Sequence, residues 1–132
     1  MVNGVHHINF IVRDLASAIP TWERILDREV TSHDQLAERG VAIARFNLGQ
    51  TWIVLVQPTR TGTIPAAHLE QHGEGFFLMS LETDSLSAEV GRLGEGAFNG
   101  AEREGLDDWR VRDVAVGGMF GARVQLAGSG GS

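Results

Sequence analysis

Cysteine is absent from the 132-residue chain. That removes disulfides, thiolate metal sites and cysteine nucleophiles, and it makes a reducing cytoplasm the simplest compartment. Long apolar runs are absent too. None reaches the roughly 18 residues of a membrane span, so no membrane partner is expected. The opening MVNG has neither a charged leader region nor an apolar stretch behind it, and no secretory signal is expected. Positive charge is scarce. Against 17 Asp+Glu stand 11 Lys+Arg, a formal charge of −6, and no basic cluster that would suit nucleic acid.

What is present is ordinary for a globular protein: 42% hydrophobic and 21% charged residues. The length suits one domain, or two small modules sharing one core. The chain also repeats itself. GVHHINFIVRDLASA at 4–18 aligns with GFFLMSLETDSLSAE at 75–89, an offset of 71. The same offset carries TWIVLV at 51–56 onto ARVQLA at 122–127, again an apolar strand. Two segments sharing one offset point to a duplicated unit.

Each unit reads as strand, helix and three strands. VHHINFIV is the first strand, and Asp14 is placed to cap the helix behind it. Leu15, Ile19, Trp22, Ile25 and Leu26 make that helix's apolar stripe, with Pro20 inside it as a kink or early stop. REVTSHDQ, VAIARFNL and TWIVLVQ follow as strands. In the connector, Pro and Gly bracket a short helix over 66–72. The second unit has FFLMSLET, a helix over 86–93, a Gly-rich segment at 94–100, DWRVRDVAV and GARVQLA. The fold class is therefore α+β, with βαβββ twice. The predicted layout is one domain over 1–127: module one at 4–57, connector at 58–74, module two at 75–127, then a linker-like tail at 128–132.

Strand parity sorts the side chains. Ile8, Phe10 and Val12 belong under the helix, so His7, Asn9 and Ile11 face the other way. His6 has the helix-side parity but opens the strand. Trp52, Val54, Phe76, Leu78, Ser80, Arg123 and Gln125 join the face opposite the helices. A face that mixes such polar and apolar groups suits a pocket for a small organic molecule. Of Arg112 and Asp113, neighbours in strand seven, only one can share it.

The duplicated βαβββ pattern, HHINFIVRDL at the front and GEG before the second unit resemble the vicinal oxygen chelate superfamily, that of glyoxalases, bleomycin-resistance proteins and extradiol dioxygenases. The connector TIPAAHLEQHGEG after Pro58 is most similar to methylmalonyl-CoA epimerases and glyoxalase-like proteins. The resemblance implies two modules forming a curved mixed-sheet cup, a homodimer, and metal ligands at four positions. Carried over to this chain, those positions hold His7, Val54, Leu78 and Gln125. The repeat relates the same four, since 7 + 71 = 78 and 54 + 71 = 125. Val54 and Leu78 have no donor atoms, and His7 with an amide is too little for a catalytic metal. No metal and no other cofactor is expected.

His7 is then a buried neutral histidine, a ligand contact, or a general acid or base in a metal-free site. Asn9, Gln125 and Arg123 are candidates to orient an oxyanion, while Trp52 and Trp109 could wall an aromatic ligand. Asp34, six residues before Gly40, occupies a place where the epimerase-like pattern has an acid–base residue; an exposed edge carboxylate is the simpler reading. His68 and His72 lie one helical turn apart without the HExxH order, and read as an exposed polar helix face. Three functions follow. The first is metal-independent isomerisation, cyclisation or cleavage of a small molecule through His7. The second is non-enzymatic binding of the bleomycin-resistance type, and the third a metal-dependent epimerase or glyoxalase with a displaced site.

Overall fold

In a computed structural model of the chain, residues 1–115 and 119–129 are described. They form two compact units: His7–Phe77, and Met1–His6 together with the chain from Leu78 onward. Strand β1 (Val2–Ile11) contributes its beginning to the second unit and its remainder to the first.

The first unit continues with α1 (Leu15–Leu26), β2 (Ser32–Leu36), β3 (Val41–Asn47), β4 (Trp52–Pro58) and α2 (Ile64–His72). Its strand order is β2-β3-β4-β1, antiparallel except for the β4–β1 pair. That pair is parallel because the chain leaves β1 through a helix and returns after a hairpin. Helix α1 covers one face. Leu15, Ile19, Trp22 and Leu26 pack on Phe10, Val12, Ala44, Phe46, Ile53 and Leu55. The β2–β3 turn needs Gly40, at φ 70°, where a Cβ would come within 2.8 Å of Arg60 Cγ. Arg60 itself donates to the carbonyls of Ala37 and Glu38, at 2.6 and 3.0 Å, and closes the turn.

The second unit holds β5 (Gly75–Thr83) from Leu78 on, α3 (Leu86–Leu93), β6 (Phe98–Glu104), β7 (Trp109–Val114) and β8 (Val124–Ser129). Its order, β5-β8-β7-β6, repeats that of the first unit, with β5 and β8 parallel. Ser85 caps α3 by accepting from the Ala88 N–H at 3.1 Å. Leu86 and Val90 of α3 pack with Leu81, Phe98, Val114 and Leu126. The fold is α+β with the βαβββ pattern twice, as the repeat predicts. Among the described residues, no helix is long and apolar enough to cross a membrane.

Local expectations fail in instructive places. Helix α1 runs through Pro20 to Leu26, because its apolar stripe is held by tertiary packing. Asp14 is the N-cap residue, yet its side chain caps nothing. The Leu15 N–H is taken by Gln57 Oε1 at 2.8 Å, and Asp14 accepts from Ser17 Oγ instead. The second strand begins only at Ser32, since Asp27 ends α1 in a left-handed conformation and the chain must first turn back. Helix α2 starts at Ile64, capped by Thr63. The Gly-rich segment at 94–100 contains the start of β6. Strand β8 takes in Gly128 and Ser129 of the expected tail, whose other residues lie outside those described.

Leu55 is fully buried at the centre of the first unit's core. Leu55→Ala is expected to lower unfolding free energy by about 2–5 kcal/mol in urea titration; a loss well below 1 kcal/mol would contradict this packing.

Candidate functional site

In each unit the sheet face turned away from the helix is also buried at its centre, while its outer strand stays partly or fully exposed. Residues opposite one another in a ladder share a face. In the first unit this aligns Asn9, Val54, Arg45 and Ser32 across β1, β4, β3 and β2. His7 lies beside that row, opposite Trp52, and is 4% exposed. On the row's other side run Ile11, Val56, Ile43 and Asp34. Asp34 is half-buried on this face, which the exposed-edge reading of it missed. His33, of opposite parity, is exposed as its polar strand suggests.

Arg45 is the functional candidate that sequence reasoning passed over. It is 7% exposed; its Nε donates to Ser32 Oγ at 2.9 Å, and its guanidinium lies 4.7 Å over the Trp52 ring. A charged residue inside the apolar run VAIARF was the available signal. Asn9 Oδ1 is buried and accepts no hydrogen bond among the described residues.

The second unit has an equivalent row: Ser80, Gln125, Asp113 and Asn99 across β5, β8, β7 and β6. Ser80 is fully buried, and its Oγ has no hydrogen-bond partner among the described residues. Gln125, 4% exposed, donates from Nε2 to Asp113 Oδ1 at 3.1 Å. Arg103 grips the same carboxylate with both terminal nitrogens, at 2.7 and 3.2 Å. Thus Asp113 is the strand-seven residue on this face. Arg112 turns to the α3 side, where it lies 4.8 Å over Phe98 and pairs with Glu95.

The two buried orphan atoms are repeat equivalents, 9 + 71 = 80. Where the first row carries a cation, Arg45, the second carries an anion, Asp113. Buried polar atoms are nearly always paired in folded proteins, so an orphan on such a face marks a place that a ligand or water completes.

Other candidates fall outside these two rows. Leu78 is buried in β5. Arg123 precedes β8 and is half-buried, its carbonyl accepting from the Met79 N–H. Phe76 is 52% exposed and sets its ring edge-on to Phe10. His68 stacks against His72 and Phe77 on and beside α2. Trp109 is buried and meets His6 edge-to-face, ring centroids 4.5 Å apart. These two line an open cleft of about 710 Å³ in the second unit with Asn3, Glu82, Asp84 and Asp108. Burial pushes the His6 pKa down, opposed by the nearby charges of Glu82 and Asp108.

The four positions where the resemblance expects metal ligands do not fit a metal. Val54 and Leu78 supply no donor, and Gln125 turns its NH2 group toward a carboxylate. Among the described residues no three His, Cys, Asp or Glu side chains gather closely enough to hold an ion.

Two outcomes follow. The Ser80 hydroxyl bonds no described residue, so Ser80→Ala should cost no more than about 1 kcal/mol in urea titration; a larger loss would show that the hydroxyl is bonded within the protein. His6 has a lowered folded pKa, so the unfolded chain binds its proton first. Its contribution is intact above the ordinary histidine pKa and falls away as pH drops below it. Denaturant midpoints at pH 7.5 and 5.5 should therefore separate, and His6→Asn should narrow the gap. An unchanged gap would contradict the assignment.

The chain matches the family described as the glyoxalase/bleomycin resistance protein/dioxygenase superfamily over residues 6–112. It is 29% identical over 87 residues to the human mitochondrial methylmalonyl-CoA epimerase, across 65% of this chain and 49% of that protein. It therefore spans about half the length of that relative. The solved methylmalonyl-CoA epimerase from Mycobacterium tuberculosis superposes with a TM-score of 0.86 at 21% identity, covering 97% of this chain and 89% of the other. A variant of the Streptomyces coelicolor epimerase, in complex with 2-nitronate-propionyl-CoA, superposes at 0.84 and 20% identity, covering 98% and 99%. At these identities the structures establish a shared fold. With the family match spanning most of its length, the chain belongs to the glyoxalase/bleomycin resistance protein/dioxygenase superfamily.

Proposed function

We propose that this protein binds a small carbonyl compound on the polar face of its first unit and moves a proton next to the carbonyl without a metal. That is isomerase-type chemistry. The observation that supports it is the gathering of buried His7, buried Arg45 and half-buried Asn9 on one sheet face, with the buried Asn9 Oδ1 unpartnered among the described residues. His7 is the acid–base group: its imidazole takes the proton α to the carbonyl and can return one only to that same side of the plane, so inversion needs a second acid for the other side, for which Asp34 on this sheet face is the candidate. The electron pair left on carbon moves to the carbonyl oxygen, and a buried guanidinium such as Arg45 stabilises the oxyanion. Trp52, opposite His7 and beneath Arg45, walls the place. Asn9 Oδ1 can only accept, so it selects an N–H or O–H on the bound molecule.

The similarity to epimerases supports an acyl thioester as the first compound to try. The same reading takes the protein as cytoplasmic and homodimeric, as the resemblance implies. A second reading, non-enzymatic sequestration, is favoured by the same orphan atoms, because binding alone would also satisfy them.

Methylmalonyl-CoA and simpler acyl thioesters incubated in D2O should lose their α-proton signal in the presence of the protein. His7→Asn should slow that exchange by about 10²–10⁴-fold, the range of a general base. Chelator should leave the rate unchanged. Stoichiometric binding without exchange would replace this reading with sequestration. Exchange abolished by chelator and restored by a divalent ion would overturn the metal-free mechanism.

A further inference from the structure

The second unit's row has a chemistry of its own. A salt-bridged carboxylate only accepts hydrogen bonds, so the Gln125 group that meets Asp113 must be the NH2 end. The amide therefore has one allowed orientation, and its Oε1 is turned away from Asp113. Arg103 holds the carboxylate in a two-point grip, which keeps that orientation from swinging with the acid. Across the ladder from Gln125 stands Ser80, a strand spacing of about 4.8 Å away, with a fully buried hydroxyl that has no partner among the described residues. Leu78, Val111 and Ala127 on the same face are buried and apolar.

We propose that Asp113 is a positioning residue that keeps Gln125 Oε1 turned away from it on the face shared with the Ser80 hydroxyl, and that Oε1 and the hydroxyl together recognise a neutral ligand group able both to donate and to accept. A carboxamide or a hydroxyl meets that description. The amide or hydroxyl proton goes to Gln125 Oε1, while the ligand oxygen accepts from Ser80. A carboxylate meets it badly, because its lone pairs would face those of Oε1 in a buried setting. This inference rests on the small-molecule reading above. It assigns to one row the preference for a neutral polar group over an anion.

The test uses isosteric probes, benzamide and benzoate, titrated into the full-length 15N-labelled protein. The signals followed are the Gln125 side-chain NH2 and the Ser80 backbone amide. Benzamide should shift both saturably, and benzoate at least about tenfold more weakly, the factor that corresponds to one well-placed hydrogen bond. Asp113→Asn lets the Gln125 amide flip and should reduce that preference severalfold. Ser80→Ala, which should stay folded because no described residue bonds the hydroxyl, should weaken benzamide and leave the Gln125 NH2 shift position in the free protein unchanged. Equal or stronger benzoate binding at these signals would overturn the preference and leave the proposed function standing. No shift with either probe up to its solubility would overturn the row as a binding site, while the His7-dependent exchange would still decide the function separately.

Discussion

Burial of both faces at the centre of each sheet is the constraint from which the rest follows. A strand has two sets of side chains, and in most small α+β domains one set meets water. Here His7, Arg45, Val54 and Ile11 are as buried as the Leu55 and Phe46 that pack under α1. A polar group on such a face has lost its water and must find a partner or carry a cost. Arg45 meets the constraint through Ser32 and the Trp52 ring; Gln125 meets it through Asp113. Asn9 and Ser80 do not meet it among the described residues, and they occupy the same place in the two repeats.

The duplication explains why these features come in pairs, and divergence explains why they differ. Both rows run across four strands in the same order, from first strand to fourth, third and second. One now carries arginine at the third place and the other aspartate. Positions that the family resemblance assigns to metal ligands hold an aliphatic residue in each row's neighbourhood, Val54 and Leu78. The superfamily's scaffold is thus retained while its metal chemistry is not supported by the donors. Fold alone would not have revealed this, because one scaffold hosts many reactions.

Much of the fold was legible in the sequence. The offset of 71 paired the modules, and alternation in VAIARFNL and TWIVLVQ gave β3 and β4 to within about a residue at each end. Local rules failed where they met tertiary packing: Pro20 inside α1, Asp14 at the N-cap with its carboxylate on Ser17 Oγ rather than on the helix backbone, and the late start of β2. Of the site, the parity of His7, Asn9, Ser80 and Gln125 was readable from period two. Arg45 was not legible from the metal-ligand positions of the resemblance, because a guanidinium is not a metal ligand. The choice of Asp113 over Arg112 needed the register against β8, which no local pattern supplies.

The central claim is that Asn9 and Ser80 present buried polar atoms for something other than protein. A crystal structure of the ligand-free protein, at a resolution that orders solvent, tests it most directly. The account predicts an ordered water within about 3.2 Å of Asn9 Oδ1 and another within that distance of Ser80 Oγ, a normal hydrogen-bond distance. Both atoms packed against carbon alone, with no density beside them, would contradict it.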